Sequence, residues 1–104
     1  MITIDVAEFS TTPFGRYIQD SDYSAEKFRE TVLIPTINEA RGEDVKVDFS
    51  KVALGVGSSF LEEAFGGLVR QGFDKKQLIE HLIIIDRIGI YDKQVKKFIS
   101  EARS

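Results

Sequence analysis

The chain has 104 residues, room for one compact domain and not two, with no cysteine and a single histidine, His81. Disulfide frameworks, thiolate metal sites, Fe–S clusters, cysteine nucleophiles and multi-histidine metal centres are therefore excluded. A net charge of −3 with a pI near 5.1 supplies no positive field to draw in nucleic acid.

No apolar run approaches the ~20 residues of a membrane span. The segment Met1-Ile2-Thr3-Ile4-Asp5 lacks the basic and apolar regions of a signal peptide. The expectation is a cytoplasmic protein that binds neither nucleic acid nor membrane and needs no cofactor.

Ile2, Ile4 and Val6 alternate with polar residues, the period of a half-buried strand. Thr11-Thr12-Pro13-Phe14-Gly15 breaks it, and Arg16-Tyr17-Ile18 reads as a short second strand before the loop chemistry of Asp20-Ser21-Asp22. Ser24 is placed to cap a helix over 25–40, with Phe28, Val32, Leu33 and Ile37 on its apolar side. Pro35 predicts a kink there or two shorter helices, and Gly42 a C′ stop.

Val45, Val47 and Phe49 predict a strand over 44–49, followed by the glycine-rich turn Leu54-Gly55-Val56-Gly57-Ser58-Ser59. Phe60, Leu61, Ala64, Phe65, Leu68 and Val69 then share one face of a helix closed by Gly72. Residues 74–78 read as a helical connector. Leu82-Ile83-Ile84-Ile85 has the β-branched bias of a buried strand, and a helix over 92–102 turns Val95, Phe98, Ile99 and Ala102 inward. The order β(β)αβαβα is that of an α/β domain with a mostly parallel sheet and right-handed crossovers.

The stretch Gly57-Ser58-Ser59-Phe60-Leu61-Glu62-Glu63 carries most of the functional information. Helix N-termini at the carboxyl ends of parallel strands present free N–H groups, and two hydroxyls there are candidate phosphoryl acceptors. Against this, Ser59 with Glu62 matches the S-x-x-E capping box, a purely structural use. The glycines form neither a dinucleotide fingerprint nor a P-loop.

Three stretches together resemble the STAS-like family, which is related to bacterial anti-sigma-factor antagonists. They are Phe14-Gly15-Arg16-Tyr17, the helix start Ser24-Ala25-Glu26-Lys27-Phe28-Arg29 with Pro35 beyond it, and Ser58-Ser59-Phe60-Leu61-Glu62-Glu63-Ala64-Phe65-Gly66. The resemblance implies a single domain over 1–104, with a mixed sheet of four or five strands and helices packed mainly on one side. It also implies a non-enzymatic regulatory module that binds a protein partner. In the antagonists a serine at this turn is phosphorylated by a kinase of the histidine-kinase-like ATPase fold; carried over, that serine is Ser58, with Ser59 beside it. Gly57 and Phe60 stand where the antagonists have an acid and a small residue.

Arg16, Tyr17 and Arg29 belong to the matching stretches, and the arginines are candidate clamps for a phosphate near Ser58. The bland alternative pairs them with Asp20, Asp22 or Glu26 at the surface. A second functional reading is a small-molecule or nucleotide sensor that uses the Gly55–Ser59 turn and Arg16. Weaker still are a Ser58, His81 and Asp86 catalytic set and a cation site built from Asp48, Glu62, Glu63 and Asp86. Gly66-Gly67 inside a helix costs about 1 kcal/mol per residue relative to Ala, which predicts a close approach by the sheet or another chain.

Overall fold

The fold was obtained as a computed structural model, which describes residues 1–53 and 55–103. Leu54, the first residue of the glycine-rich turn, lies outside the described residues. Three strands form the sheet: β1 (Ile2–Asp5), β2 (Val45–Asp48) and β3 (Leu82–Ile85). All are parallel and in sequence order, with Ile2 beside Val45 beside Leu82 and Ile4 beside Val47 beside Ile84.

Strands in sequence order joined by crossovers of one hand place their helices on one face. Burial agrees with this: Ile4, Val47 and Ile84 are in the core, whereas Thr3 on the other face is exposed and its neighbours Lys46 and Ile83 are half-buried.

Among the described residues the sheet is thus all-parallel and three-stranded, not mixed with four or five strands. Residues 16–18 are loop because their backbone groups serve a helix instead of a ladder. The carbonyls of Gly15 and Arg16 accept from the amides of Ala25 and Glu26 at 2.8 and 2.9 Å. Asp20 and Glu26 take the amides of Tyr17 and Ile18, each at 3.0 Å. β1 also ends early. The Asp5 carboxylate accepts from the Ala7 amide, opening a one-turn helix, α1 (Val6–Phe9), in which Val6 is fully buried.

Ser24 caps α2 (25–40) through Lys27 N–H, as its sequence position predicts. Pro35 does not split the helix. Residues 29–33 widen into a π-helical turn just before it, closed by Ile34 N–H to Arg29 C=O, so the missing proline N–H falls at the start of a fresh α-helical segment. The chain leaves α2 through two successive left-handed residues, Arg41 (φ 51°) as the C-cap and Gly42 (φ 86°) at the expected C′ position.

The second crossover contains α3 (58–70) and α4 (Lys75–His81). α3 also carries a π-helical turn, at Glu62–Gly66. Asp74 caps α4, which runs directly into β3. α5 (Ile90–Glu101) begins two residues before its expected start because the Asp86 carboxylate accepts from both Ile90 and Tyr91 amides, at 3.1 and 3.0 Å. Its Val95 and Ile99 are buried. Rings of Phe9, Phe28 and Phe60 link α1, α2 and α3 across the core.

Candidate functional site

Because all strands are parallel, the segments after β1, β2 and β3 gather at one end of the sheet, where helix N-termini also lie. The loop 10–24, residues 49–53 and 55–57, and the loop 86–89 meet there. Arg87 ties two of them together by donating to the carbonyls of Ser50 and Val52. Tyr91 adds a second tie, its hydroxyl accepting from Val56 N–H at 2.6 Å.

Gly57 is the N-cap of α3, and no side chain caps this terminus. Ser58 and Ser59 are the first two helical residues and both are exposed. The Ser59–Glu62 capping box is therefore not formed. Glu62 turns instead to two arginines: Arg16 Nη1 lies 2.7 Å from Oε1 and Arg70 Nη1 2.7 Å from Oε2. Phe60 points inward against Phe28 and is a core residue, not part of the exposed turn.

Beneath this exposed pair lies a buried one. The Arg29 guanidinium donates to the Glu63 carboxylate at 2.9 Å and to the Glu63 main-chain carbonyl at 2.6 Å, with both residues in the interior. Glu30 takes the Arg29 Nε–H and is held from the other side by Gln71. Both arginines expected to clamp a phosphate or pair with Asp20, Asp22 or Glu26 are thus committed to α3, Arg29 from α2 and Arg16 from the loop before it. Sequence reasoning did bring Arg16, Arg29, Glu62 and Glu63 to one place; it missed Arg70 and Gln71. Arg70 stands two helical turns from Glu62, a spacing that puts both on one side of α3 and would have found it.

The glycines of α3 answer to this network. A Cβ on Gly67 would collide with the Arg29 guanidinium, and one on Gly66 would lie 2.7 Å from Glu62 Oε2. The close approach predicted for Gly66-Gly67 is real, but arginine and glutamate side chains make it.

The other candidates disperse. His81 bonds Asp44 at 2.9 Å at the amino end of β3, whereas Ser58 sits beyond the carboxyl end of β2 and Asp86 caps α5, so no triad forms. Among the described residues no three His, Asp or Glu side chains converge to hold a metal ion, which removes the Asp48, Glu62, Glu63 and Asp86 site. Gly55 does border a cleft of about 200 Å³ with Phe49, Val52, Asp86, Arg87 and Tyr91. Arg16, the other half of the sensor reading, is engaged with Glu62, and the arginine in this cleft is Arg87.

The model of one protein family, described as a STAS-like domain of unknown function (DUF4325), matches residues 24–87. The chain belongs to that family. The matched span opens at the Ser24 cap, contains β2, α3, α4 and β3, and includes both halves of the Arg29–Glu63 pair. The Phe14-Gly15-Arg16-Tyr17 stretch precedes it. Neither a curated protein nor a solved structure matches the chain. No helix among the described residues of this STAS-like domain is long and apolar enough to cross a membrane.

Two measurements test the network. Alanine is favoured over glycine in a helix by about 1 kcal/mol, and the new Cβ of Gly66→Ala would meet the part-exposed ends of Glu62 and Arg70, so this variant should be neutral or stabilising in urea denaturation. Gly67→Ala should instead lose about 1–3 kcal/mol, because the buried Arg29 has nowhere to go; a stabilised Gly67→Ala would contradict the packing.

The second concerns acid. Hydrogen bonds from Arg70 and Arg16 hold the Glu62 carboxyl below its ordinary value of 4.5. The unfolded chain then takes up this proton first as pH falls, so the contribution is full above that value and lost as pH drops through the folded one. Glu62→Gln should flatten the loss of stability below about pH 4.5; an unchanged pH profile would show the pairs to be idle.

Proposed function

We propose that this STAS-like domain is a non-enzymatic regulatory module read by a protein partner at the carboxyl end of its sheet. The observation that carries the reading is the company Ser58 and Ser59 keep. At the same end, the loop 10–24 exposes Phe14 (61%), Ile18 (57%), Tyr23 (46%) and Tyr17 (43%), four large apolar or aromatic side chains on one segment. Apolar groups gathered on a surface beside polar ones mark contact sites for other proteins. The Arg16–Glu62 bond joins this loop to α3 one turn beyond Ser58, which ties the two parts of the face together.

In this reading, phosphorylation of Ser58 by a histidine-kinase-like ATPase switches the contact off. The γ-phosphoryl of ATP passes to Ser58 Oγ, the hydroxyl proton is released and ADP leaves. Two features support the acceptor. The uncapped N-terminus of α3 offers N–H groups and the positive end of the helix dipole to a phosphate. Glu62 and Glu63, which would repel it, are neutralised by Arg16, Arg70 and Arg29. Gain of a dianion at an otherwise apolar contact then costs the partner its binding.

Intact-mass measurement after incubation with ATP and a histidine-kinase-like ATPase should show one added phosphate, absent in Ser58→Ala. Ser58→Asp and the double variant Tyr17→Ala/Ile18→Ala should each weaken binding to that ATPase at least tenfold. No phosphate gained, together with unchanged binding by Ser58→Asp, would sink the switch.

A further inference from the structure

The outer edge of β1 is open. Ile2 N–H donates to the Asp44 carbonyl at 3.2 Å, and alternate residues of a parallel strand bond the same neighbour. Thr3 therefore turns its N–H and C=O away from β2, as Asp5 turns its N–H, and among the described residues nothing accepts or donates to them. Alongside runs a groove of about 570 Å³ between this edge and α2, lined by Thr3, Phe9, Lys27, Thr31, Val32 and Thr36. An uncovered edge strand with unpaired main-chain groups is a template for another strand.

We propose that the occupant is a second copy of this chain, its β1 pairing antiparallel with the first across a two-fold axis at Thr3. The strand is self-complementary in that arrangement. Each Thr3 exchanges both main-chain bonds with its copy, each Asp5 N–H meets the second copy's Met1 carbonyl, and Ile2 lies opposite Ile4 on the core face, extending the apolar layer without a break. Such an interface is isologous and closes on itself.

Helix geometry fits the same occupant. The final segment of α2 (residues 34–40) touches both β1 and β2, so its axis runs above the gap between them. Neighbouring strands lie about 4.8 Å apart, which places two symmetry-related α2 axes roughly 10 Å from each other, at the distance of packed helices. The facing side chains Thr31, Val32 and Thr36 are small enough for that approach.

Charge supplies the orientation. Antiparallel α2 helices set exposed Lys27, in the first turn of one, toward exposed Glu39, in the last turn of the other and three residues past Thr36. The pairing occurs twice, and opposed helix dipoles add to it.

Sedimentation velocity of the whole chain over a concentration series should show a monomer–dimer equilibrium. Thr3→Pro removes an outward N–H and no bond to β2, so it should leave the circular dichroism spectrum intact and abolish the dimer. Lys27→Glu should weaken dimerisation several-fold, and adding Glu39→Lys should restore it, a rescue independent of whether the proline variant folds. A monomeric wild type, a dimer insensitive to Thr3→Pro, or a charge swap without rescue would each overturn the proposal. None of these outcomes touches Ser58, so the partner-binding reading stands or falls separately.

Discussion

One buried ion pair fixes the relation between the two long helices of this domain. Arg29 and Glu63 sit in the interior, and an interior charge is tolerable only when its partner and its remaining hydrogen-bond positions are supplied. Here the Glu63 carboxylate and main-chain carbonyl take Nη1 and Glu30 takes Nε, and no buried side-chain polar atom among the described residues lacks a partner. The pair bridges the π-helical turns of α2 and α3, and Gly67 exists in a form without a Cβ because the guanidinium lies against it.

From that pair outward, each layer depends on the last. Glu63 orients the turn that carries Glu62. Glu62 in turn draws Arg16, and Arg16 holds the loop that exposes Tyr17 and Ile18 next to the first turn of α3. The exposed face is thus built on an interior clasp, which is how a short loop with few core contacts acquires a defined shape. The sheet contributes direction: three parallel strands put every one of these segments at the same end.

Much of this was legible in sequence. Alternation at Val45 and Val47, the run Leu82–Ile85, the Ser24 cap and the apolar stripe of α3 all gave their elements directly, because period and capping are local. What failed was non-local. Arg16-Tyr17-Ile18 has β propensity, but the Arg16 carbonyl and Ile18 amide are taken by the first turn of α2 and the Tyr17 amide and carbonyl by Asp20, a competition invisible in a three-residue window. Ser59 and Glu62 satisfy the spacing of a capping box, yet two arginines from elsewhere bind Glu62 more strongly than one amide can. Both π-helical turns also escaped, since each adds one residue to a turn without disturbing the hydrophobic pattern much. Gly66-Gly67 was the one local sign of crowding, and it pointed to the right place but the wrong neighbour.

The central claim is that the Arg29–Glu63 clasp organises the exposed face at the carboxyl end of the sheet. Replacing both residues together, Arg29→Met with Glu63→Leu, removes the clasp without orphaning a buried charge. Native-state hydrogen exchange followed by NMR on this double variant tests the claim directly. The account predicts faster exchange at amides of residues 14–20 and 58–62, with protection in β1, β2 and β3 retained. Unchanged exchange in those two segments would contradict it, as would a uniform loss of protection through the sheet.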